Sequence, residues 1–265
     1  MQHSTLELHY FSEFFFMVVG TMFWFEVRIM IYKYKTWIND FDAWIGGEMP
    51  SGNYLVLGPP KVGKTVFINQ VAYMSALAKR PVVYVTLDGS PDNIKLRMKE
   101  FNWDVEPFEE ENLFQFVDGF TFWYIYPQRS RNEFSVESLT NISKLLSVIV
   151  NAYDKIGSNG IIILYSLSTL LEHADFQKSY SFMTGLKALT EERNCLGFTV
   201  LTSGMHPEMQ INAFKHIVNG IIEMQFKHEN ETTTRKIRVI GLGARLNLLN
   251  WKEFTITPDG IKLAK

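Results

Sequence analysis

Eight residues of this 265-residue chain carry its clearest chemistry: Gly58-Pro59-Pro60-Lys61-Val62-Gly63-Lys64-Thr65, a match to the pattern GxxxxGK[ST]. Such a loop turns so that successive backbone N–H groups, here from residue 61 onward, converge on a phosphate, and the helix that follows adds the partial positive charge of its N-terminus. Pro59 and Pro60 have no N–H to give. Lys64 supplies a point charge to β- and γ-phosphates, and the Thr65 hydroxyl suits Mg²⁺. The expected ligands are therefore ATP and Mg²⁺. Gly58 through Val66 form the nucleotide-contacting stretch, with Lys64 also a catalytic candidate and Thr65 the metal ligand. Average residue usage makes an accidental match about a one-in-a-hundred event for a chain this long.

The elements around the loop are those it requires. NYLVLG (53–58), PVVYVTL (81–87), NLFQFVD (112–118), GIIILY (160–165) and GFTVLTS (197–203) are nearly continuous in apolar and β-branched residues, the pattern of strands buried on both faces. Helical stretches are expected at 64–78, at 91–101 with Ser90 as N-cap and Pro91 in the first turn, at 136–153 and at 180–193. After Ser203 the runs shorten to GIIEMQF (220–226), TRKIRVI (234–240) and EFTIT (253–257), with KHENET as a turn between the first two. This order predicts an α/β fold, a mainly parallel sheet flanked by helices with antiparallel hairpins at its C-terminal end. Residues 33–265 form one domain, since no Gly/Ser/Pro-rich linker or repeat divides them.

Composition narrows the classes. A net charge of −2 gives no global footprint for nucleic acid, which needs a basic face. The single cysteine, Cys195, excludes an intrachain disulfide and multi-cysteine metal sites, and fits a cytoplasmic protein. Residues 1–32 are an apolar extension. Its run FFFMVVGTMFWF (14–25) falls short of the roughly 20 apolar residues of a spanning helix and lacks the basic flank of a secretory signal. Three readings stay open: membrane contact through residues 10–32, a packing segment, or an extension upstream of a start at Met30.

With the loop placed, TWINDFDAWIGGEMPSGNYLVLGPPKVGKT resembles the opening of KaiC-like, RecA-superfamily ATPases, which read TGIPGLDxLLGGGIPxG before the loop. YVTLDGSPDNIKLRMKEFNWDVEP is similar to their second strand and helix, and IIILYSLSTLL to their Walker B strand. HIVNGIIEMQF and KIRVIGLGARLNLLNWKEFTITPDGIKL resemble their C-terminal hairpins. The likeness runs from about Lys35 to the end and points to single-domain, archaeal-type relatives, a group holding archaellum-motor proteins, gas-vesicle regulators and recombinase paralogues. It implies a RecA-like core, ATP and Mg²⁺, self-association as a ring or hexamer, and a further protein partner that it does not identify.

The departures are as informative. Where the family carries two glutamates after the second strand, this chain has Asp88 and Gly89. The Walker B aspartate is replaced by Tyr165, and the Lys-x-Arg pair that reaches a neighbouring subunit becomes Gly241-Leu242-Gly243, with Arg245 nearby. A phenol stays neutral at pH 7 and is a poor Mg²⁺ ligand. A general base is worth roughly 10²–10⁴ in rate and an arginine finger about 10³–10⁵. Shortening Glu to Asp moves the carboxylate by about an ångström, a shift that can cost on the order of 10²-fold. Ser203 stands where relatives place a γ-phosphate sensor. His206 is a loop residue without a second metal ligand at suitable spacing, and Ser166, Ser168 and Thr169 are phosphoryl-acceptor candidates.

The expectation is thus a nucleotide-dependent regulatory or assembly subunit with weak or absent hydrolysis. Two alternatives stand beside it: an ATPase or autokinase using Asp88, and a DNA-binding recombinase paralogue. FWYIYPQRSRNEF (122–134), with Arg129 and Arg131 among aromatics, would serve the last.

Overall fold

The computed structural model of the chain describes residues 11–18, 21–28, 32–124, 132–229, 232–242 and 248–264. In chain order, β1 (Phe11–Val18) and β2 (Thr21–Arg28) precede β3 (Lys33–Tyr34), α1 (Asn39–Trp44), β4 (Met49–Pro50) and β5 (Gly52–Gly58). Next come α2 (Lys64–Leu77), β6 (Val82–Thr86), α3 (Pro91–Lys99), α4 (Glu106–Glu110), β7 (Phe114–Asp118) and α5 (Thr121–Tyr124). They are followed by α6 (Ile142–Ile156), β8 (Ile161–Tyr165), α7 (Leu167–His173), α8 (Phe176–Glu192), β9 (Leu196–Thr202) and α9 (Glu208–Ile217). The chain ends in β10 (Gly220–Glu229), β11 (Thr232–Ile240), β12 (Leu248–Thr257) and β13 (Gly260–Leu263).

Nine strands form the central sheet in the order β13-β12-β11-β10-β5-β9-β8-β6-β7. The six from β10 to β7 run parallel, and β11, β12 and β13 continue the sheet antiparallel. Register decides what meets at the sheet's C-terminal edge. Gly58 pairs with Thr202, and Thr86 pairs with both Tyr165 and Asp118, so the loops leaving β5, β9, β8 and β6 open side by side. In an open parallel sheet this edge is where ligands bind.

Alternation along the strands divides the core in two. Tyr54, Val56, Tyr84, Ile163 and Phe198 face α1 to α4, where Phe41, Phe67, Ile94, Met98 and Phe108 meet them. Leu55, Leu57, Val83, Val85, Ile162 and Leu164 face α6 to α9 through Leu145, Ile149, Leu170, Phe182 and Phe214. Burial on both faces is why these strands read as continuous apolar runs rather than alternating ones.

The structure corrects several element boundaries. The helix expected from residue 136 starts at Ile142, because Asn141 caps it by accepting from Lys144 N–H and the preceding stretch runs beside β7. Asp118 N–H donates to Phe134 O and Val136 N–H to Asp118 O, which removes that segment from any helix. The helix expected at 180–193 begins earlier, at Phe176, behind the Asp175 cap. The turn read into KHENET is mostly strand, since β10 and β11 pair out to Glu229 and Thr232. Helices α1, α4 and α9 and strand β13 had no counterpart in the sequence reading. The short α1 follows a turn in which the buried Asp42 carboxylate accepts from Thr36 N–H, Thr36 Oγ1 and Trp37 N–H.

Most of the apolar run 14–25 lies in β1 and β2, which pair antiparallel in a separate two-stranded sheet, with Phe14 opposite Phe25 and Phe16 opposite Phe23. Among the described residues no helix is long and apolar enough to cross a membrane.

Phe67 of α2 ties the loop's helix to the sheet. Its fully buried ring sits edge-on to Phe41 at 5.2 Å and to Phe198 at 6.0 Å. Truncation there removes a large buried side chain and leaves a cavity between α1, α2 and β9. Phe67→Ala is expected to lower the unfolding free energy by about 3–5 kcal/mol, measured by urea denaturation.

Candidate functional site

The loop after β5 is shaped by backbone that few residues tolerate. Lys61 and Gly63 lie at φ 65° and 124°, and left-handed positions within such a turn point successive N–H groups inward. Gly58 has no room for a side chain, since a Cβ there would stand 2.5 Å from Met224 O of the adjacent β10. Strand packing, as well as loop geometry, therefore requires that glycine.

The helix that follows is left open at its N-terminus. No side chain caps α2 and no acidic residue stands in its first turn. Helices α3, α6, α7 and α8, by contrast, are capped by Ser90, Asn141, Ser166 and Asp175. Uncapped N–H donors and an unopposed dipole make an anion site. Lys64, at the first position of α2, is buried. Its ammonium donates to Gly58 O at 2.7 Å and Pro59 O at 2.8 Å, so the cation is held by the loop's own carbonyls. Burial lowers its pKa from 10.5 to about 8.

Beside the loop opens a cavity of about 560 Å³. Pro60, Lys61, Gly63, Lys64, Thr65 and Val66 form its loop side, and Asp88 and Tyr165 come from the ends of β6 and β8. The Tyr165 side chain is 8% exposed and packs edge-on to Tyr84, and burial raises its pKa, so it is a neutral phenol. Its hydroxyl accepts from Thr65 Oγ1 at 3.3 Å. Tyr165 thereby takes the proton side of the Thr65 hydroxyl, leaving the Thr65 lone pairs for a ligand, but it contributes no negative charge. Asp88 is exposed at the cavity wall. Gly89, the position of the second missing carboxylate, is buried with its carbonyl accepting from Thr86 Oγ1 at 2.5 Å.

Mg²⁺ is usually held by one or two carboxylates together with substrate phosphates. The donors here are a threonine hydroxyl, a neutral phenol and the exposed Asp88, and among the described residues no group of three His, Cys, Asp or Glu could hold a metal. This set does not fit an ion held by the protein.

The other candidates fall into place around the cavity. Ser203 donates its backbone N–H to Gly58 O, and it is its neighbour Thr202, with Met205, that lines the cavity. Ser166 also lines it, but its Oγ accepts from Thr169 N–H and pairs with the Thr169 hydroxyl, while Ser168 Oγ accepts from Thr202 N–H at 2.9 Å. These three hydroxyls are buried and occupied in capping α7 and joining it to β9, which weighs against a phosphoryl-acceptor role. His206 is half-buried, and its Nε2 has no hydrogen-bond partner among the described residues. Gly241, at the lysine position of the family's Lys-x-Arg pair, carries no side chain, and Leu242 beside it is buried in the core, whereas Gly243, Arg245, Arg129 and Arg131 lie outside the described residues.

Sequence reasoning missed the contribution of α3. Arg97, Glu100 and Phe101 line the same cavity, as do Asn69 of α2 and Ile256 of β12. Arg97 lies on α3, and Glu100 and Phe101 follow directly after its last residue, Lys99, so their approach to the loop is set by which side of that helix packs on the core. Which side faces the loop depends on the packing of Ile94 and Met98, which the sequence does not display.

Comparison with known proteins agrees with this geometry. The family model described as ATPase: KaiC matches residues 34–265. A UPF0273 protein of Pyrococcus horikoshii is 27% identical over 234 residues, covering 88% of this chain and 94% of the relative. One of Thermotoga maritima is 26% identical over 234 residues, covering 88% and 96%. The crystal structure of a KaiC-like protein from Pyrococcus horikoshii superimposes with a TM-score of 0.74 at 20% identity, over 89% of this chain and all of that one.

The lowered pKa of Lys64 has a testable sign. Bound phosphate favours the charged form, so above about pH 8 nucleotide binding must take up a proton. Affinity is expected to be flat below pH 8 and to fall above it by up to about tenfold per pH unit. Titration calorimetry at pH 9 in two buffers of different ionisation enthalpy reads that proton directly. In the free protein the same shift acts the other way: between pH 8 and 10.5 the unfolded lysine binds more protons, so the Lys64 contribution to stability rises with pH.

Proposed function

We propose that this chain, which belongs to the KaiC ATPase family, is an ATP-binding regulatory or assembly subunit whose hydrolysis is weak or absent. The observation that carries the reading is a contrast within one cavity. The phosphate-binding half is complete, with an uncapped α2, left-handed turns at Lys61 and Gly63, and a buried Lys64. On the catalytic half, Tyr165 stands at the end of β8 and Gly89 follows Asp88. Binding depends on the first half and turnover on the second.

A bound nucleotide would satisfy the open donors of the loop and order the segments around it, and an effector that orders loops can favour one assembly state over another. Self-association into a ring and a separate protein partner belong to this proposal. Mg²⁺ arriving with the nucleotide would find Thr65 as its loop ligand and no carboxylate at the end of β8.

One observation favours a second reading, a slow ATPase. Asp88 lines the same cavity as Lys64 and Thr65 and could orient a water there. The two readings separate in a single experiment, calorimetric titration with ATP followed by chromatography of the recovered nucleotide. The regulatory reading expects ATP returned uncleaved, with a change in oligomeric state on size-exclusion chromatography. Release of ADP that stops in Asp88→Ala would instead establish the ATPase. Restoring the glutamate pair, Asp88→Glu with Gly89→Glu, is expected to raise hydrolysis by about 10²-fold. A Cβ at Gly89 would meet nothing closer than Ile94 Cδ1 at 3.9 Å, so the backbone there has room for the first atom of a side chain.

A further inference from the structure

We propose that Arg97 of α3 binds the terminal phosphate of the nucleotide from within the same chain, replacing the charge of a protein-held divalent cation, so that ATP binds without Mg²⁺. The inference rests on the ATP-binding reading above and goes beyond it by naming what neutralises the triphosphate.

Three observations carry it. The first is the donor set. The end of β8 offers the phenol of Tyr165, which accepts a hydrogen bond from the Thr65 hydroxyl but carries no charge to hold an ion against the phosphates. The second is the charge around the cavity. Its cations are Lys61, Lys64 and Arg97, and its anions are Asp88 and Glu100. Lys61 and Lys64 belong to the loop, so Arg97 is the cation supplied from outside it. It makes no hydrogen bond or ion pair with the described residues, leaving its guanidinium available, and a guanidinium can grip a phosphate through two parallel N–H bonds.

The third observation is that α3 is a fixed platform. Ser90 Oγ caps it by accepting from Asn93 N–H, Pro91 occupies its first turn, and Ile94 and Met98 are fully buried beneath it. In the turn just beyond its C-terminal end Phe101 stacks on Trp103 at 4.6 Å, and Trp103 stacks on Tyr73 of α2 at 6.2 Å. Helix α3 is thus clamped to the helix that carries Lys64. Rotation of α3 is set by these contacts, and it brings Arg97 to the cavity beside Asp88 and Tyr165. The charges of Arg97 and Asp88 act on the Tyr165 phenol in opposite directions, as their shared wall requires.

The test is titration of the full chain with ATP and with ADP, each in Mg²⁺ and in EDTA. Wild type is expected to bind ATP with constants that agree within about threefold in the two conditions, where a metal-dependent site would lose affinity steeply in EDTA. Arg97→Gln, on the exposed face of α3, is expected to weaken ATP in EDTA by about tenfold or more while changing ADP little, and Arg97→Lys to recover part of the loss. A thermal melt matched to wild type shows that Arg97→Gln is folded. Collapse of wild-type ATP binding in EDTA, or equal ATP binding by wild type and Arg97→Gln, overturns the inference and leaves the ATP-binding reading intact. A wild type that binds no ATP in either condition overturns both.

Discussion

The chain keeps a lysine ammonium buried beneath a loop with no carboxylate among its hydrogen-bond partners. Among the described residues, Lys64 is held by the carbonyls of Gly58 and Pro59. Burying an unpaired charge is costly, and the lowered pKa is the measure of that cost. The surroundings then act together: Gly58 presses against β10, Gly63 opens the first turn of α2, and the α2 N-terminus is left without a cap. The buried charge and the uncapped helix end are unfavourable for a folded chain alone, and one bound anion would relieve both. Local rules broken together at one place mark a functional site.

Around that anion site the remaining chemistry has been reworked. At the end of β8 a carboxylate would bring charge and accept a hydrogen bond from the Thr65 hydroxyl, and Tyr165 does only the second. It also packs on Tyr84, which in turn hydrogen-bonds Asn69 of α2 at 2.7 Å, so the aromatic substitution is built into the contact between the sheet and α2. Glycine at position 89 gives its carbonyl to Thr86 and leaves Asp88 as the one carboxylate at the end of β6.

The parallel strands, the loop and the helix after it were legible in the sequence because their causes are local. Strands buried on both faces must be continuously apolar, and a phosphate loop must carry Gly58, Gly63, Lys64 and Thr65 at fixed spacing. The short helices α1 and α4 were not legible: they are one or two turns long and depend on particular contacts, as in the buried carboxylate of Asp42. The start of α6 was misread because residues 134–136, apolar enough for a helix, are claimed by hydrogen bonds to Asp118.

By itself, then, the sequence determined the fold class and the nucleotide loop, since both rest on residue type at short spacing, and its resemblance to KaiC-like ATPases marked where that family's charged groups are replaced. Only the tertiary structure decided what replaced them. Register in the sheet places Tyr165 opposite Thr86, and β8 packing brings its hydroxyl to Thr65 across 100 positions of chain. Burial of Ile94 and Met98 turns Arg97 toward the same cavity. Those meetings join residues far apart in sequence, and nothing in local pattern encodes the rotation of a helix against a sheet.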